Sequence, residues 1–323
     1  MVIERSRKPL KTLTKRSVKT CEELLREFAD EEQAATPEII RYTGVGKRDV
    51  YNITAPFEDD GELVIAGRVE ERDSEHSNVY FFVKRGDEWI PREGAPVFEL
   101  QDPFITRIKG ELIVGGVQIF PHPTVQDALG WRTVFLKGKT ISELKEFAKG
   151  PDGMKDIRLV ELKDGSIGVL TRPQGEKGGR GKIGFTNIES MDELSIERIE
   201  EAPLLKGQFV EEEWGGANEA HLLSNGLIGV LGHIASFEDA GDRHYYPMAF
   251  ALDPAAGAIS DIKLIAARKL FLQGPAKRPD LVDVVFSGGL VRKEDGTADL
   301  YAGISDAGAQ KITIPDPFLE YEA

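Results

Sequence analysis

The spacing of apolar residues changes once along the chain, near residue 35. Within residues 19–35, Leu24, Leu25 and Phe28 fall on one face of a helix, and Thr20 with Glu23 has the pattern of a capping box at the start of that helix. Beyond this segment, apolar residues occur in short runs separated by glycine, Asp-Gly and Asn-Gly turns. This pattern predicts a short N-terminal helix followed by an all-β fold.

Five segments of the β region resemble one another. Each has a polar residue, a short apolar strand, a glycine turn and a second apolar strand, and eight or nine residues separate the polar residue from the turn glycine. The spacing leaves room for a four-stranded blade in each unit. Five unrelated hairpins in a β-sandwich are the alternative, but the shared pattern favours a five-bladed β-propeller, whose closed ring protects the sheet edges. The segments are 49–70, 98–119, 153–173, 214–234 and 283–305.

We therefore divide the chain into a basic tail (1–18), the helix (19–35) and a single propeller domain (36–323). The formal net charge is −14, which argues against nucleic acid and an anionic membrane as partners. The single cysteine, Cys21, leaves no intramolecular disulfide, as is usual in a reducing compartment. Neither a signal peptide nor a membrane-spanning apolar run is recognisable, so we expect a cytoplasmic protein.

The polar residue of each repeat is the first candidate for chemistry, because the innermost strands of a propeller surround a common channel. Converging carboxylates suit the recognition of sugar hydroxyls and the cleavage of glycosidic bonds. They also repel one another, so at least one should have a raised pKa unless a cation lies between them. For an isolated Asp, a role in a turn would be the alternative. The ring comprises Asn52, Asp102, Asp156, Asn218 or Glu219, and Ser287.

Basic residues form a second group of candidates. Arg68, Arg172 and His233 lie at the ends of the second strands of their repeats. Such cations can bind phosphate or a sugar carboxylate, or they can pair with the carboxylates of the ring; both interpretations stay open. The histidines lack metal-ligand spacing, and we expect neither a metal nor a cofactor. The other basic candidates are Arg72, Lys155, Arg243 and His244, and the aromatic candidates for sugar stacking are Trp89, Trp131, Trp214, Tyr245 and Tyr246.

Several motifs resemble those of glycoside hydrolase family 130, the β-mannoside phosphorylases and hydrolases. The segment DVVFSGGLVRKEDGTADLYAGISDA (283–307) is similar to the last-blade signature of that family, and MKDIRLVELKDGSIGVLTRP (154–173) is similar to its Lys-Asp pair and Arg-Pro ending. QDPF (101–104), GHI (232–234) and RHYYPMAFALDP (243–254) resemble further family elements. GVGKRDVYNITAPF with IAGRVEERDSE is more similar still to the uncharacterised bacterial domain family 1861, which is regarded as related.

The resemblance implies roles for particular residues. It implies a sugar-binding Asp102, a sugar-contacting Asp306, subsite roles for Lys155, Asp156 and Arg172, and phosphate contacts for His233 and Arg243. The chain departs from family 130 at Gln101 and Phe104, where the family has Glu and Arg. It also lacks the general-acid Asp after the following strand, where Asp127 is the nearest carboxylate. GPDG (150–153) replaces an Arg-Asn pair of the phosphorylases, which weakens phosphorolysis more than sugar binding.

Three functions follow from these observations. The leading hypothesis is an inverting glycoside hydrolase acting on a mannoside-like oligosaccharide, with Glu219, Asp102 and Asp127 as candidates for acid and base. We expect Asn52, Arg68, Arg72 and the residues assigned by the resemblance to bind substrate. The alternatives are a glycoside phosphorylase, which uses inorganic phosphate in place of water, and a sugar-binding propeller without catalysis.

Overall fold

Five antiparallel sheets form the blades of a β-propeller, which confirms the predicted fold. The computed structural model describes residues 18–30, 35–238 and 241–322; the predicted basic tail lies outside them except for Val18. The first elements are helix α1 (Cys21–Asp30) and strand β1 (Glu38–Ile39). No helix in the described part of the chain is long and apolar enough to cross a membrane.

The blades follow one another along the chain, and β1 belongs to the last of them. The third sheet has three strands in the described residues, one fewer than the repeat spacing allows. Blade 1 comprises β2 (Asp49–Tyr51), β3 (Phe57–Asp59), β4 (Glu62–Glu70), β5 (Ser77–Arg85) and β6 (Glu88–Pro91); blade 2, β7 (Gln101–Ile108), β8 (Glu111–Pro121), β9 (Leu129–Gly138) and β10 (Lys145–Lys149); blade 3, β11 (Arg158–Glu161), β12 (Ile167–Thr171) and β13 (Gly184–Ile188); blade 4, β14 (Trp214–Leu222), β15 (Ile228–Phe237), β16 (Arg243–Asp253), β17 (Ala258–Ile259) and β18 (Lys263–Leu264); and blade 5, β19 (Val285–Arg292), β20 (Thr297–Ile304) and β21 (Gly308–Pro315) with β1.

The remaining helices are short and lie in the connections between blades and at the end of the chain. They are α2 (Gly175–Gly178), α3 (Ile196–Glu201) and α4 (Leu319–Glu322), with 3-10 turns at Ile141–Glu143, Met191–Glu193, Arg268–Leu270 and Pro279–Leu281.

Helix α1 forms as its sequence predicts, although its described bounds are shorter than 19–35. The amide of Thr20 donates to Glu23 Oε2 at 2.8 Å, and the amide of Glu23 donates to Thr20 Oγ1 at 3.2 Å. These reciprocal bonds satisfy amides at the helix start that would otherwise lack partners. Leu24 and Phe28 are buried against strands of blades 3 and 4, so the helix packs on the outside of the ring.

The ring is closed by an early segment of the chain pairing with a late one. In β1, Glu38 lies opposite Lys311 and Ile39 opposite Gln310, which makes β1 the outermost strand of blade 5. Blades 5 and 1 also approach closely at the centre, where a Cβ on Gly288 would lie 1.7 Å from Ile53 O. Only glycine fits at that position, and the close contact fixes the start of blade 1 next to blade 5.

The predicted repeat segments supply the innermost strands, and these strands are irregular where their polar residues occur. Register shifts interrupt β7 between Gln101 and Phe104, β14 between Ala217 and Glu219, and β19 between Ser287 and Gly289. Bulges of this kind re-aim side chains and are frequent next to active sites.

Candidate active site

A chamber of about 200 Å³ lies where the five blades meet, and we call it the inner chamber. All five blades contribute to its wall, as does the connection between blades 4 and 5. The chamber is lined by Asn52, Arg68, Glu75, Gln101, Asp102, Lys155, Asp156, Arg172, His233, Arg243, Tyr245, Arg278, Leu281, Val284, Phe286 and Asp306.

Four polar residues of the inner chamber have left-handed backbone conformations. The φ angles are 45° at Asn52, 47° at Asp102, 60° at Asp156 and 50° at Asp306. Asn and Asp tolerate this conformation better than other non-glycine residues, because their short side chains can bond to the local backbone. The repeated Asn and Asp residues thus suit the irregular backbone as well as the chamber. Strain of this kind is concentrated at functional sites.

Asp102 is buried and held by two donors on the same oxygen. Asn52 Nδ2 donates to Asp102 Oδ1 at 2.8 Å, and Arg68 Nη1 donates to it at 3.0 Å. Burial acts to raise the pKa of Asp102, but the charges of Arg68 and Lys155 outweigh it and hold that pKa below its usual value. Asp102 is therefore an ionised acceptor at neutral pH.

A buried network holds Arg68 in place behind Asp102. The Arg68 guanidinium donates to Glu70 Oε2 at 2.6 Å and to Ser77 Oγ at 2.7 Å. Glu70 also accepts from Tyr51 Oη at 2.7 Å and forms an ion pair with Lys277, which reaches it from the connection between blades 4 and 5. These bonds fix one orientation of the guanidinium, and with it the orientation of Asp102.

Asp156 faces cations but accepts no hydrogen bond from any described residue. Its Oδ2 lies 3.4 Å from Arg172 Nη1, and its Oδ1 lies 3.9 Å from Arg158 Nη2. Burial raises the pKa of Asp156, and the charges of Arg172 and Lys155 more than offset this and lower the pKa to about 2. Buried polar atoms without partners are rare in native proteins, so these oxygens and Arg172 Nη1 are open to a ligand.

Asp306 differs from the other two carboxylates. Burial raises its pKa above the usual value, and the negative charge of Asp102 adds to that increase against the opposing charge of Arg68. The expected raised pKa in the carboxylate cluster is therefore found at Asp306. A carboxyl group with a raised pKa next to ionised neighbours is suited to donate a proton.

His233 is neutral in this environment. Burial lowers its pKa to about 3, and the charges of Arg172 and Lys155 act in the same direction, whereas Asp156 opposes them. Its Nδ1 lies 2.8 Å from Asn218 Oδ1, and its ring stacks on Tyr245 at a centroid distance of 5.4 Å. His233 therefore contributes a neutral hydrogen-bonding group to the chamber.

A second chamber of about 390 Å³, the outer chamber, adjoins the first and shares five lining residues with it. One part of its wall carries four cations, and another part is apolar and aromatic. No carboxylate is among its lining residues in the described part of the chain. The outer chamber is lined by Gln101, Val117, Ile119, Trp131, Lys155, Arg172, Gln174, Arg180, Trp214, Phe237, Arg243 and Tyr245.

Aromatic rings support the cations of the outer chamber. The Arg180 guanidinium lies 5.1 Å from the Phe237 ring centroid and 5.7 Å from that of Trp214. Arg243 lies 5.8 Å from the Phe237 centroid, and its Nη1 is 3.6 Å from Asp280 Oδ2. Cation–π contacts hold the guanidinium groups while leaving N–H donors available. A chamber with several such donors and no carboxylate favours an anion.

The structure brings together most of the residues predicted from the sequence. Arg172, His233 and Arg243 join the carboxylates, and Trp131, Trp214 and Tyr245 lie in the outer chamber. Asn218 and Ser287 support the chamber from behind, since Asn218 contacts His233 and Ser287 Oγ donates to Gly232 O at 2.8 Å.

Glu219 and Asp127, two of the three candidates for acid and base, are not lining residues of either chamber. Glu219 follows the bulge in β14, and its Oε2 accepts from the amide of Leu290 at 2.7 Å and contacts His221 Nε2 at 2.8 Å. Asp127 is exposed in the turn between β8 and β9, where its φ of 58° suits a turn residue.

Some basic and aromatic candidates also lie outside both chambers. Arg72 is largely exposed and pairs with Asp49, and His244 Nδ1 contacts Asp283 Oδ2 at 2.6 Å. Tyr246 Oη donates to Asp283 Oδ2 at 2.7 Å, and Trp89 packs in the core of blade 1. Each of these side chains has a structural contact that explains it.

Several site residues were not predicted. Glu70 and Glu75 precede and follow the turn after β4, Arg180 lies in the glycine-rich segment after β12, and Lys277 and Arg278 lie between blades 4 and 5. All of them except Glu70, the last residue of the segment 49–70, occur outside the repeated segments. A signal was present only for Glu70, because alternation along β4 places it on the same face as Arg68.

Comparison with known proteins places this geometry in context. A family model described as "Protein of unknown function (DUF1861)" matches residues 26–320. A search of curated protein sequences finds no match.

Three solved structures illustrate the similarity. A mannose phosphorylase from Leishmania mexicana, in complex with phosphate ion, is 36% identical with a TM-score of 0.86, and the match covers 94% of this chain and 95% of that one. A GDP-Man-dependent mannosyltransferase from the same organism is 33% identical with a TM-score of 0.85, covering 94% and 96%. The β-1,2-mannobiose phosphorylase from Listeria innocua shares the fold at 15% identity, with a TM-score of 0.61 and coverage of 88% and 92%.

Proposed function

The chain belongs to the DUF1861 family, and from the charges of the two chambers and the similarity to a mannose phosphorylase we propose that it is a mannoside phosphorylase. In this proposal, the enzyme transfers a mannosyl unit from a mannoside to inorganic phosphate and releases mannose 1-phosphate. The relative that is 36% identical is a mannose phosphorylase whose structure holds a phosphate ion, which supports both the sugar and the acceptor.

The observation that carries the proposal is the contrast in charge between the chambers. Lys155, Arg172, Arg180 and Arg243 line the outer chamber without a carboxylate among the described residues of its wall. A hydrolase needs a carboxylate placed to activate water, whereas phosphate is itself the nucleophile and needs cations. Among the two enzymatic alternatives, this arrangement favours phosphorolysis over hydrolysis.

The inner chamber is suited to the mannosyl unit. Its volume of about 200 Å³ matches a single sugar ring rather than a longer chain, and Asp102 and Asp156 are ionised acceptors for hydroxyl groups. Charge-assisted hydrogen bonds of this kind are stronger than neutral ones. Lys155, Arg172 and Arg243 line both chambers, so a phosphate bound by them would lie next to the sugar.

The proposed reaction is a single displacement at the anomeric carbon. The bond from that carbon to the glycosidic oxygen breaks, and a bond from it to a phosphate oxygen forms, with inversion. Asp306 is the proton source for the leaving oxygen, because it is the carboxylate of the inner chamber with a raised pKa. In the net reaction the proton of hydrogen phosphate reaches the leaving alcohol, so Asp306 ends each cycle protonated.

In this assignment, the general acid is Asp306 rather than Glu219 or Asp127. The segment that carries the general acid in family 130 reads VGGVQIF here, and its Val117 and Ile119 are apolar residues in the wall of the outer chamber. Their side chains cannot donate a proton. Asp306 lines the inner chamber and has a raised pKa, and both properties support this assignment.

The proposal is tested by incubating the full chain with manno-oligosaccharides, with and without phosphate, and following products by phosphorus NMR. We expect a sugar 1-phosphate that forms only with phosphate present. Asp127→Asn is a matched control, because Asp127 is exposed and lies outside both chambers. Free mannose released at the same rate without phosphate would instead support a hydrolase, and binding without products would support a sugar-binding propeller.

A second function is mannosyl transfer from a nucleotide sugar. The relative that is 33% identical is a GDP-Man-dependent mannosyltransferase. Arg180 and Arg243, which lie 5.1 Å and 5.8 Å from the Phe237 ring centroid, provide two cations for the two phosphates of a nucleotide sugar. Parallel incubations with GDP-mannose and a mannoside acceptor distinguish this function. Elongated oligosaccharide together with released GDP would support it.

A further inference from the structure

A third cavity of about 620 Å³ lies beside the outer chamber, between the loops of blades 2 and 3. We propose that this cavity, the side groove, binds the further sugar units of a neutral oligosaccharide whose terminal mannosyl unit occupies the inner chamber. The proposal rests on the proposed function, and it identifies the substrate as a chain of sugars rather than a simple glycoside. The groove lies between Trp131, Asp152, Met154, Pro173, Gln174 and Glu200.

The side groove is continuous with the outer chamber. Trp131 and Gln174 line both cavities, so a ligand leaving the outer chamber past Trp131 enters the groove. Trp131 also adjoins the apolar part of the outer chamber, because in the sheet it lies opposite Ile119. The cationic part of that chamber would hold phosphate, which leaves the apolar part for the departing sugar. The further sugar units attached to the departing sugar would then continue over Trp131.

The chemistry of the groove suits sugars. Trp131 offers a partly exposed aromatic ring, and Pro151, Met154 and Pro173 provide apolar surface for the C–H faces of sugar rings. Asp152 and Glu200 provide carboxylates that accept bonds from hydroxyls. The indole Nε1 of Trp131 is buried and has no hydrogen-bond partner among the described residues, so a donor is available where the two cavities meet.

The charges of the groove argue against an anionic occupant. Lys177 is its basic residue in the described wall, and its Nζ is already bonded to the carbonyl oxygens of Glu200 and Ala202. Asp152 is paired with Arg132 at 3.2 Å, and Glu200 is the carboxylate that would repel a phosphorylated or carboxylated chain. The volume lies within the range of roughly 300–1,000 Å³ that is usual for small-molecule sites. A neutral oligosaccharide therefore fits where an anion does not.

The groove is built on fixed backbone. The amide of Gly153 donates to Trp131 O at 2.7 Å, which joins the loop before β11 to β9. Lys177 Nζ donates to Ala202 O at 2.7 Å, which joins α2 to the end of α3. Both sides of the groove are thus attached to neighbouring elements, and a preformed groove costs little ordering on binding.

The test is the dependence of turnover on the length of the oligosaccharide. For the full chain we expect kcat/KM with phosphate to rise from the disaccharide to the tetrasaccharide. Trp131→Ala should lower the ratio of kcat/KM for the tetrasaccharide to kcat/KM for the disaccharide by about tenfold. Aromatic contacts contribute about 1 kcal/mol or more, and 1.4 kcal/mol is a factor of ten. Trp131→Phe, which keeps a ring but lacks the N–H, should restore part of the ratio.

A second variant separates binding from folding. Glu200→Ala removes an exposed side chain of the groove and should lower the same ratio by about threefold, a smaller loss than that of an aromatic ring. The matched control is Glu176→Gln, an exposed carboxylate of α2 outside the groove, which should leave the ratio unchanged. A ratio that stays at the wild-type value in both Trp131→Ala and Glu200→Ala would overturn the proposal, as would a wild-type kcat/KM that does not rise with length.

Failure of the groove and failure of the phosphorylase are distinguishable. If no manno-oligosaccharide is turned over with phosphate, calorimetric binding of the same length series to the full chain replaces the kinetic measurement. Affinity that rises with length and falls in Trp131→Ala supports the groove even then. Affinity that is independent of length overturns it, whichever reaction the protein performs.

Discussion

The inner and outer chambers adjoin each other but differ in how their charges are balanced. In the inner chamber, Asp102 and Asp156 each face an arginine, and Asp306 differs from them because its pKa is raised. In the outer chamber, no carboxylate of the described residues lines the wall beside its four cations, although Arg172 also faces Asp156 and Arg243 also faces Asp280 from outside that wall. The difference indicates a neutral, hydroxyl-rich ligand inside and an anion outside, separated by the residues that the chambers share.

The residues that line the two chambers also differ in where they lie in the sequence. Asn52, Asp102 and Asp156 of the inner chamber come from the repeated positions of the innermost strands. Arg180 of the outer chamber comes from a loop between β12 and β13 that has no counterpart in the repeat. The repeat therefore builds the inner chamber and also supplies Lys155 and Arg172 to the outer chamber, to which a loop adds Arg180.

The largest expected effect is at Asp306, where substitution should remove acid catalysis within the inner chamber. We expect Asp306→Asn to lower kcat for an oligosaccharide by about 10²- to 10⁴-fold, the range for loss of a positioned general acid. An aryl mannoside with a good leaving group needs little protonation, so its rate should fall far less. Equal losses for both substrates would mean that Asp306 only binds the sugar.

Asp102→Asn should have the next largest effect, because it removes the charge of an ionised acceptor. We expect sugar affinity to fall by about 10- to 100-fold, since a charge-assisted bond contributes about 1.5–3 kcal/mol. Arg68 would then be left with less compensation, so the melting temperature is measured alongside binding. Unchanged binding would remove Asp102 from the sugar site, and a loss of stability alone would make it a structural residue.

Substitutions in the outer chamber should affect phosphate and not the sugar. We expect Arg180→Gln, which changes a residue that lines the outer chamber and not the inner one, to raise KM for phosphate by about tenfold, the loss of one bond to a charged group. The affinity for a manno-oligosaccharide in the absence of phosphate should change little. Arg72→Gln is the matched control, because Arg72 is exposed and pairs with Asp49. Equal effects on both ligands would abolish the distinction between the chambers.

The last expected effect is on stability rather than on ligand binding and concerns the neutral His233. Its pKa is lowered to about 3 by burial, whereas in the unfolded chain it stays near 6.5. Between these values the unfolded state binds a proton that the folded state does not, so the free energy of unfolding should decrease as pH falls from 6.5 towards 3. Urea unfolding at several pH values measures this slope, which should flatten in His233→Gln. An unchanged slope would show that His233 is not the residue responsible.

Much of the fold could be predicted because the repeat is a local pattern. The polar residue and turn glycine of each segment lie within one hairpin, so the innermost strands and the carboxylates at their bulges followed from the sequence. Arg180 of the outer chamber and Lys277 of the network behind Asp102 could not be predicted in the same way. Arg180 and Lys277 reach the site from irregular connections, and the pairing of Lys277 with Glu70 joins residues more than two hundred positions apart.

The general acid could not be predicted from the repeat either. Glu219 and Asn218 are adjacent, and the sequence left open which of them belongs to the ring. The bulge in β14 turns Asn218 towards His233 and Glu219 towards the backbone of Leu290. Asp306 could be placed at the sugar by resemblance, but its suitability as an acid depends on burial and on its distance from Arg68 and Asp102, which no local pattern encodes.

Phosphorolysis is tested most directly by following the oxygen that becomes bonded to the anomeric carbon. A manno-oligosaccharide is incubated with the full chain and phosphate labelled with ¹⁸O, and the products are analysed by mass spectrometry. We expect mannose 1-phosphate that carries the label in the oxygen bridging carbon and phosphorus. Mannose whose anomeric oxygen comes from unlabelled water would contradict this expectation, because water and not a phosphate bound by the outer chamber would then be the nucleophile.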